Sequence, residues 1–135
     1  DSGDVRTTVP DFLASEQPAQ IGFASVDLDY YSSTVAALRL FEADAMDRYL
    51  PRIFIYLDDI IGDDWELHSE FTGELCAVRE FNEQHTLRKI GKINCLRYKR
   101  MLWSPWVEQM YVLHLFDHPL YNTYVNPKRD WQAPL

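Results

Sequence analysis

The sequence predicts an α/β fold of mostly parallel strands ending in an antiparallel pair. Three observations lead there. Ile21–Val26 is a short apolar run of the kind that fits a strand buried on both faces, and it stops at two carboxylates, Asp27 and Asp29. Past the acids, Ser32, Ser33 and Thr34 are N-cap candidates for a helix carrying Val35, Leu38 and Phe41 on one face. The pattern then recurs: residues 52–57 read as a second buried strand, and it too ends in acids, Asp58 and Asp59. In open α/β sheets ligands gather outside the carboxyl ends of the strands, so both acidic turns fall where chemistry is expected.

At 135 residues and 47% hydrophobic, the chain is long enough for one domain with a real core and too short for two. Its formal charge of −8 repels phosphate backbones and anionic membrane surfaces, which argues against nucleic acid as a partner. No apolar run approaches the ~20 residues that span a bilayer, and the N-terminus is polar and acidic, unlike a signal peptide. The expectation is a soluble, cytoplasmic protein with no membrane partner. Cys76 and Cys95 fall in an apolar helix pattern and an apolar strand pattern without metal-ligand spacing, so buried reduced thiols are expected rather than a disulfide.

The remaining elements follow from local signals. A Gly3-Asp4 turn normally follows a strand, and none precedes it here, so the chain reads as if it opens partway through a fold. Thr7 or Thr8 can cap a short helix through Pro10, Phe12 and Leu13, with a loop around Pro18 after it. Pro51 punctuates the chain before the second strand, and Gly62-Asp63-Asp64 marks a turn beyond it. Phe71, Leu75, Val78 and Phe81 recur at helical spacing, predicting a helix over residues 70–85. Ile90, Ile93 and Leu96 predict a strand over 87–96, and the β-branched and aromatic run 111–116 predicts its antiparallel partner. Between them lie a basic run, Arg97, Lys99 and Arg100, read as a solvated strand end, and an aromatic loop whose Trp103 and Trp106 are expected in the core. His114 is read as a hydrogen-bonded core histidine; His68, His85 and His118 fall in loops or at a helix end without metal-binding spacing. Beyond Asp117, Pro119, Pro127 and Pro134 argue for an irregular tail over the surface or partly disordered.

If the two acid-terminated strands are neighbours, about 4.8 Å apart, Asp27, Asp58 and Asp59 come together. Three carboxylates so placed repel one another unless a cation lies among them, and oxygen-only ligands suit Mg²⁺. Such an ion lowers the pKa of a hydroxyl and readies it for attack on an electrophile. On spacing alone the alternative stays open that these acids are solvated loop residues.

A resemblance adds to this. Asp27-Leu-Asp29-Tyr-Tyr-Ser-Ser-Thr34, followed after a helix by Tyr56-Leu-Asp58-Asp59, resembles the motifs of the macrocin O-methyltransferase family. Weaker likeness extends through Gly3-Asp4-Val5-Arg6-Thr7-Thr8-Val9-Pro10 upstream and Ala77-Val78-Arg79-Glu80-Phe81 downstream. The resemblance implies a three-layer, Rossmann-like methyltransferase sheet, of which this chain looks like the C-terminal portion. It implies S-adenosylmethionine as methyl donor, Mg²⁺ as a second cofactor, and a small-molecule hydroxyl acceptor on a sugar or natural product. Carried over, Asp27, Asp58 and Asp59 become the metal ligands, with Asp27 assisting deprotonation of the acceptor, and Asp4 the acid beside the adenine amine.

The departures are specific. Leu28 replaces the family's usual Gly, and Ile60 replaces its common Tyr after the acidic pair. The glycines at 3, 22, 62, 73 and 91 stand singly, so the Gly-rich turn that this fold uses for its cofactor is absent. A portion of this kind exposes the edge of the 21–26 strand, which predicts homo-oligomer formation through that edge or an artificial truncation. Three other readings compete. Asp-x-Asp with a later Asp-Asp suits a haloacid-dehalogenase-type phosphatase, although Tyr31 stands where that pattern has Thr or Val. A sugar-nucleotide transferase could use Asp27-Leu-Asp29 to hold a metal diphosphate, and a non-catalytic half-domain could serve interaction or oligomerisation.

Overall fold

The computed structural model describes residues 3–14, 19–63, 65–99 and 101–123. Asp1, the loop at Pro18, Asp64, Arg100 and the tail with Pro127 and Pro134 lie outside them. The described elements are α1 (Val5–Ala14), β1 (Ile21–Val26), α2 (Tyr31–Leu38), β2 (Tyr49–Leu57), α3 (Gly73–Gln84), β3 (Arg88–Lys92), α4 (Trp106–Gln109) and β4 (Met110–Leu115), with 3₁₀ turns at Arg39–Phe41, Met46–Arg48 and Leu96–Lys99. None of the described helices is long and apolar enough to cross a membrane.

The strands form one mixed sheet in the order β1-β2-β4-β3. β1 runs parallel to β2, and β4 runs antiparallel to both β2 and β3. The expected antiparallel pair is therefore present, but its last strand inserts between the second and third. The register explains the insertion: Leu113 pairs with Ile53 on one side and Ile90 on the other, so a fully buried residue fills the middle of the core face.

Side chains alternate along the strands. On β2, Tyr49, Ile53, Ile55 and Leu57 are buried while Leu50 and Phe54 face outward. Leu38 of α2, Phe41, Ile60 and the α3 stripe Ala77, Val78 and Phe81 join those strand residues in one hydrophobic cluster. On the opposite face Phe23 is 57% exposed and Phe54 50%. This corrects one expectation: β1 and β2 are not buried on both faces.

Several boundaries also move. Tyr30, not Ser32, Ser33 or Thr34, occupies the N-cap of α2, and buried Thr34 turns its hydroxyl back to the Tyr30 carbonyl (3.2 Å). Asp4 rather than Thr7 or Thr8 starts α1, its carboxylate and carbonyl accepting the first free N–H groups. Phe71 precedes α3, is exposed, and lies under the Arg79 guanidinium, 4.8 Å from the ring centre. β3 is shorter than the predicted strand, ending at Lys92; Asn94 and Cys95 form a turn, Cys95 with a left-handed φ of 68°, ahead of the 3₁₀ turn that holds Arg97 and Lys99. Cys95 is consequently exposed, not buried; Cys76 on α3 is half-buried, and both thiols are free. Trp103 is exposed too, and Trp106, half-buried, opens α4.

His114 is hydrogen-bonded, its Nδ1 lying 2.7 Å from the Tyr121 hydroxyl, but it stands on the outward face stacked on Phe116 rather than in the core. His118 is buried against the Tyr49 carbonyl (3.1 Å). Buried Arg88 ties the sheet to the end of the α2 segment by donating to the carbonyls of Phe41 (2.7 Å) and Ala43 (3.1 Å), and it pairs with Asp117 (3.2 Å).

Candidate metal centre

Two parallel strands that end together deliver their next residues to the same place. Val26 and Leu57 are paired at the ends of β1 and β2, and the Asp58 N–H continues the ladder to the Val26 carbonyl (3.0 Å). Asp27, Asp58 and Asp59 thus leave the sheet side by side, each offering a carboxylate oxygen within 4.8 Å of the others. Asp27 is exposed; Asp58 and Asp59 are half-buried. All three ligands expected from the sequence are brought together, whereas Asp29 stays outside this group.

The surroundings of the two half-buried acids differ. Asp58 Oδ1 accepts from the Gln109 side-chain amide (3.3 Å) and lies 2.7 Å from the Tyr56 hydroxyl; Gln109 also donates to the Asp58 carbonyl (2.7 Å). The neighbouring Asp58 carboxylate raises the Tyr56 pKa. Asp59 has no such support. Its Oδ2 is buried without a partner, and its pKa is pushed up first by burial and then by the charges of Asp29, Asp27 and Asp58. Three converging carboxylates, one of them with a buried and unpartnered oxygen, and oxygen as the sole donor type fit a hard divalent cation such as Mg²⁺.

A fourth acid, missed in the sequence, stands behind the cluster. Glu74, in the first turn of α3, is 1% exposed, and its Oε2 accepts the Asp59 backbone N–H (3.2 Å). Burial, followed by the Asp59 charge, raises its pKa to about 7, against the backbone amides of Asp59 and Leu28, which pull the other way. Its Oε1 has no partner. Nothing in the sequence sets Glu74 apart, because an acid in the first turn of a helix is ordinarily a solvated complement to the helix dipole.

Asp4 lies elsewhere. It lines a cleft of about 360 Å³ with Leu28, Ser32 and Ser33, on the α2 side of the first acidic turn. Both of its oxygens are engaged by the Arg6 side chain at 2.6–3.0 Å, and Oδ1 also accepts the Arg6 N–H, which holds its pKa down at about 2. A larger groove of about 610 Å³, lined by Val9, Phe12, Ile21, Phe23 and Leu40 among others, runs between α1 and the outer edge of β1.

Comparison with protein-family models, curated proteins and solved structures finds no match to this chain.

Proposed function

We propose that this chain is the cation-binding C-terminal portion of an S-adenosylmethionine-dependent O-methyltransferase acting on a hydroxyl of a small molecule. The observation that carries the reading is the convergence of Asp27, Asp58 and Asp59 at two parallel strand ends, with Asp59 Oδ2 buried and unpartnered. Their motifs resemble those of the macrocin O-methyltransferase family, and parallel strands ending in an antiparallel pair are what that resemblance implies for this portion. In this reading the three aspartates hold a divalent ion, which supplies acidification of the acceptor hydroxyl. Asp58 is held in orientation by the Gln109 amide and the Tyr56 hydroxyl. Asp27, the exposed member, receives the hydroxyl proton. Asp4 and the cleft it shares with Leu28, Ser32 and Ser33 are the proposed seat of the donor's adenine.

The test is calorimetric titration of Mg²⁺ into the chain and into Asp58→Asn, each with and without S-adenosylmethionine. Saturable binding, lost in the variant and tightened by the donor, supports the proposal; no Mg²⁺ binding refutes it. Binding of Mg²⁺ with no response to the donor leaves a cation site in a portion that does not take up the donor by itself. The outward apolar face with Phe23, Leu50 and Phe54, together with the outer edge of β1, which pairs with no other strand among the described residues, favours the second reading, an interaction half-domain that pairs with another copy through that edge. Concentration-dependent sedimentation abolished by Phe23→Lys is expected on that reading; a monomer at all concentrations removes it.

A further inference from the structure

We infer that Glu74 is the positioning residue of the carboxylate cluster, holding Asp59 by its backbone so that the third ligand stays within reach of the other two. The inference rests on the cation-binding reading above. Two of the three acids are fixed by the sheet. Asp27 is the first residue past β1, and Asp58 is held by its own N–H on the Val26 carbonyl and by Gln109 and Tyr56 at its side chain. Asp59 is one residue beyond that ladder, and its Oδ2 is buried without a hydrogen-bond partner. Left to itself, such a residue would swing toward water.

What opposes that swing is the Glu74 carboxyl on the Asp59 N–H. Glu74 is immobilised in turn, since α3 seats Ala77, Val78 and Phe81 on the sheet and leaves Glu74 1% exposed. One hydrogen bond thereby transmits the packing of α3 to a ligand. The arrangement is unfavourable for the fold alone, because it buries a fourth acid beside three others with one oxygen unpartnered. Groups held at such a cost cluster where function requires them.

Reach and charge are separable by substitution. Glu74→Gln keeps an acceptor at the same distance and loses the charge; Glu74→Asp keeps the charge and falls one methylene short. Mg²⁺ is titrated calorimetrically into wild type, both variants and Asp59→Asn as the ligand-loss reference, with amide resonances followed by NMR. The expected result is binding within about threefold of wild type for Glu74→Gln, and weakening by about 10–100-fold for Glu74→Asp, the range found when groups supporting a metal ligand are lost. The Asp59 amide resonance should move in metal-free Glu74→Asp and stay in Glu74→Gln. Wild-type affinity in Glu74→Asp, or a loss in Glu74→Gln as large as in Asp59→Asn, overturns the inference. Should Glu74→Asp not fold, Glu74→Met, of similar volume and without a carboxyl acceptor, takes its place with the same expected weakening. Wild type silent to Mg²⁺ overturns the cation reading itself, and is told apart by that first titration.

Discussion

Glu74 should make the metal-free protein lose stability as the pH rises, the reverse of the behaviour of a salt-bridged carboxylate. Its folded pKa is about 7 against an ordinary 4.5, chiefly because it is buried. Between those two values the unfolded chain releases the proton and the folded chain keeps it, so the folded state binds more protons and stability falls with increasing pH. The contribution is fully present below about pH 4.5 and gone above about pH 7. At about 1.4 kcal/mol per tenfold change in proton affinity, the difference is on the order of 3 kcal/mol, a large part of a small domain's total. Asp59, also raised, acts in the same direction. His114 acts in the opposite one: burial and Arg52 lower its pKa, so its share of stability is lost as pH falls below 6.5. The assay is urea unfolding with a chelator at closely spaced pH between 4.5 and 8, on wild type and Glu74→Gln. The variant titrates every group but one, so the difference between the curves isolates Glu74. At pH 8 Glu74→Gln should be the more stable by up to about 3 kcal/mol, and the two should converge toward pH 4.5. Parallel curves would show that the Glu74 carboxyl is solvated, and would remove the burial on which its role depends.

The remaining predictions concern the sheet and the thiols. Leu113→Ala removes a fully buried side chain placed between Ile53 and Ile90, and should cost about 3–4 kcal/mol by urea unfolding; a loss under about 1 kcal/mol would mean that β4 does not occupy the centre of the sheet. Arg88→Met leaves the Phe41 and Ala43 carbonyls and Asp117 without their donor, and thermal unfolding should register a loss of about 2–4 kcal/mol. In native protein Cys95 should react with a soluble thiol reagent well before Cys76, with mass spectrometry of the labelled peptides as the readout; equal rates would contradict the difference in exposure.

Which elements were legible in the sequence follows from how local their causes are. β1, β2 and the helical stripe of Val78 and Phe81 were readable because hydrophobic periodicity is imposed by the backbone repeat itself. The convergence of Asp27, Asp58 and Asp59 was readable as well, since two neighbouring parallel strands that both end in acids bring those acids together wherever the rest of the chain lies. Signals that depend on one backbone angle were not. Cys95 sits in an apolar pattern that reads as strand, yet it lies in a turn with a left-handed φ that its side chain disfavours.

The amino-acid sequence by itself determined the α/β class, the four strands, the helices α1, α2 and α3, and the three acids at the strand ends, because each is written in neighbours a few residues apart. Tertiary structure alone decided that β4 enters between β2 and β3, that helices of the core cover one face of the sheet while Phe23 and Phe54 face outward, and that Glu74 is buried behind Asp59. Those outcomes depend on which surfaces meet across long separations in the chain. An acid at a helix start looks the same in sequence whether water or a second strand end lies in front of it.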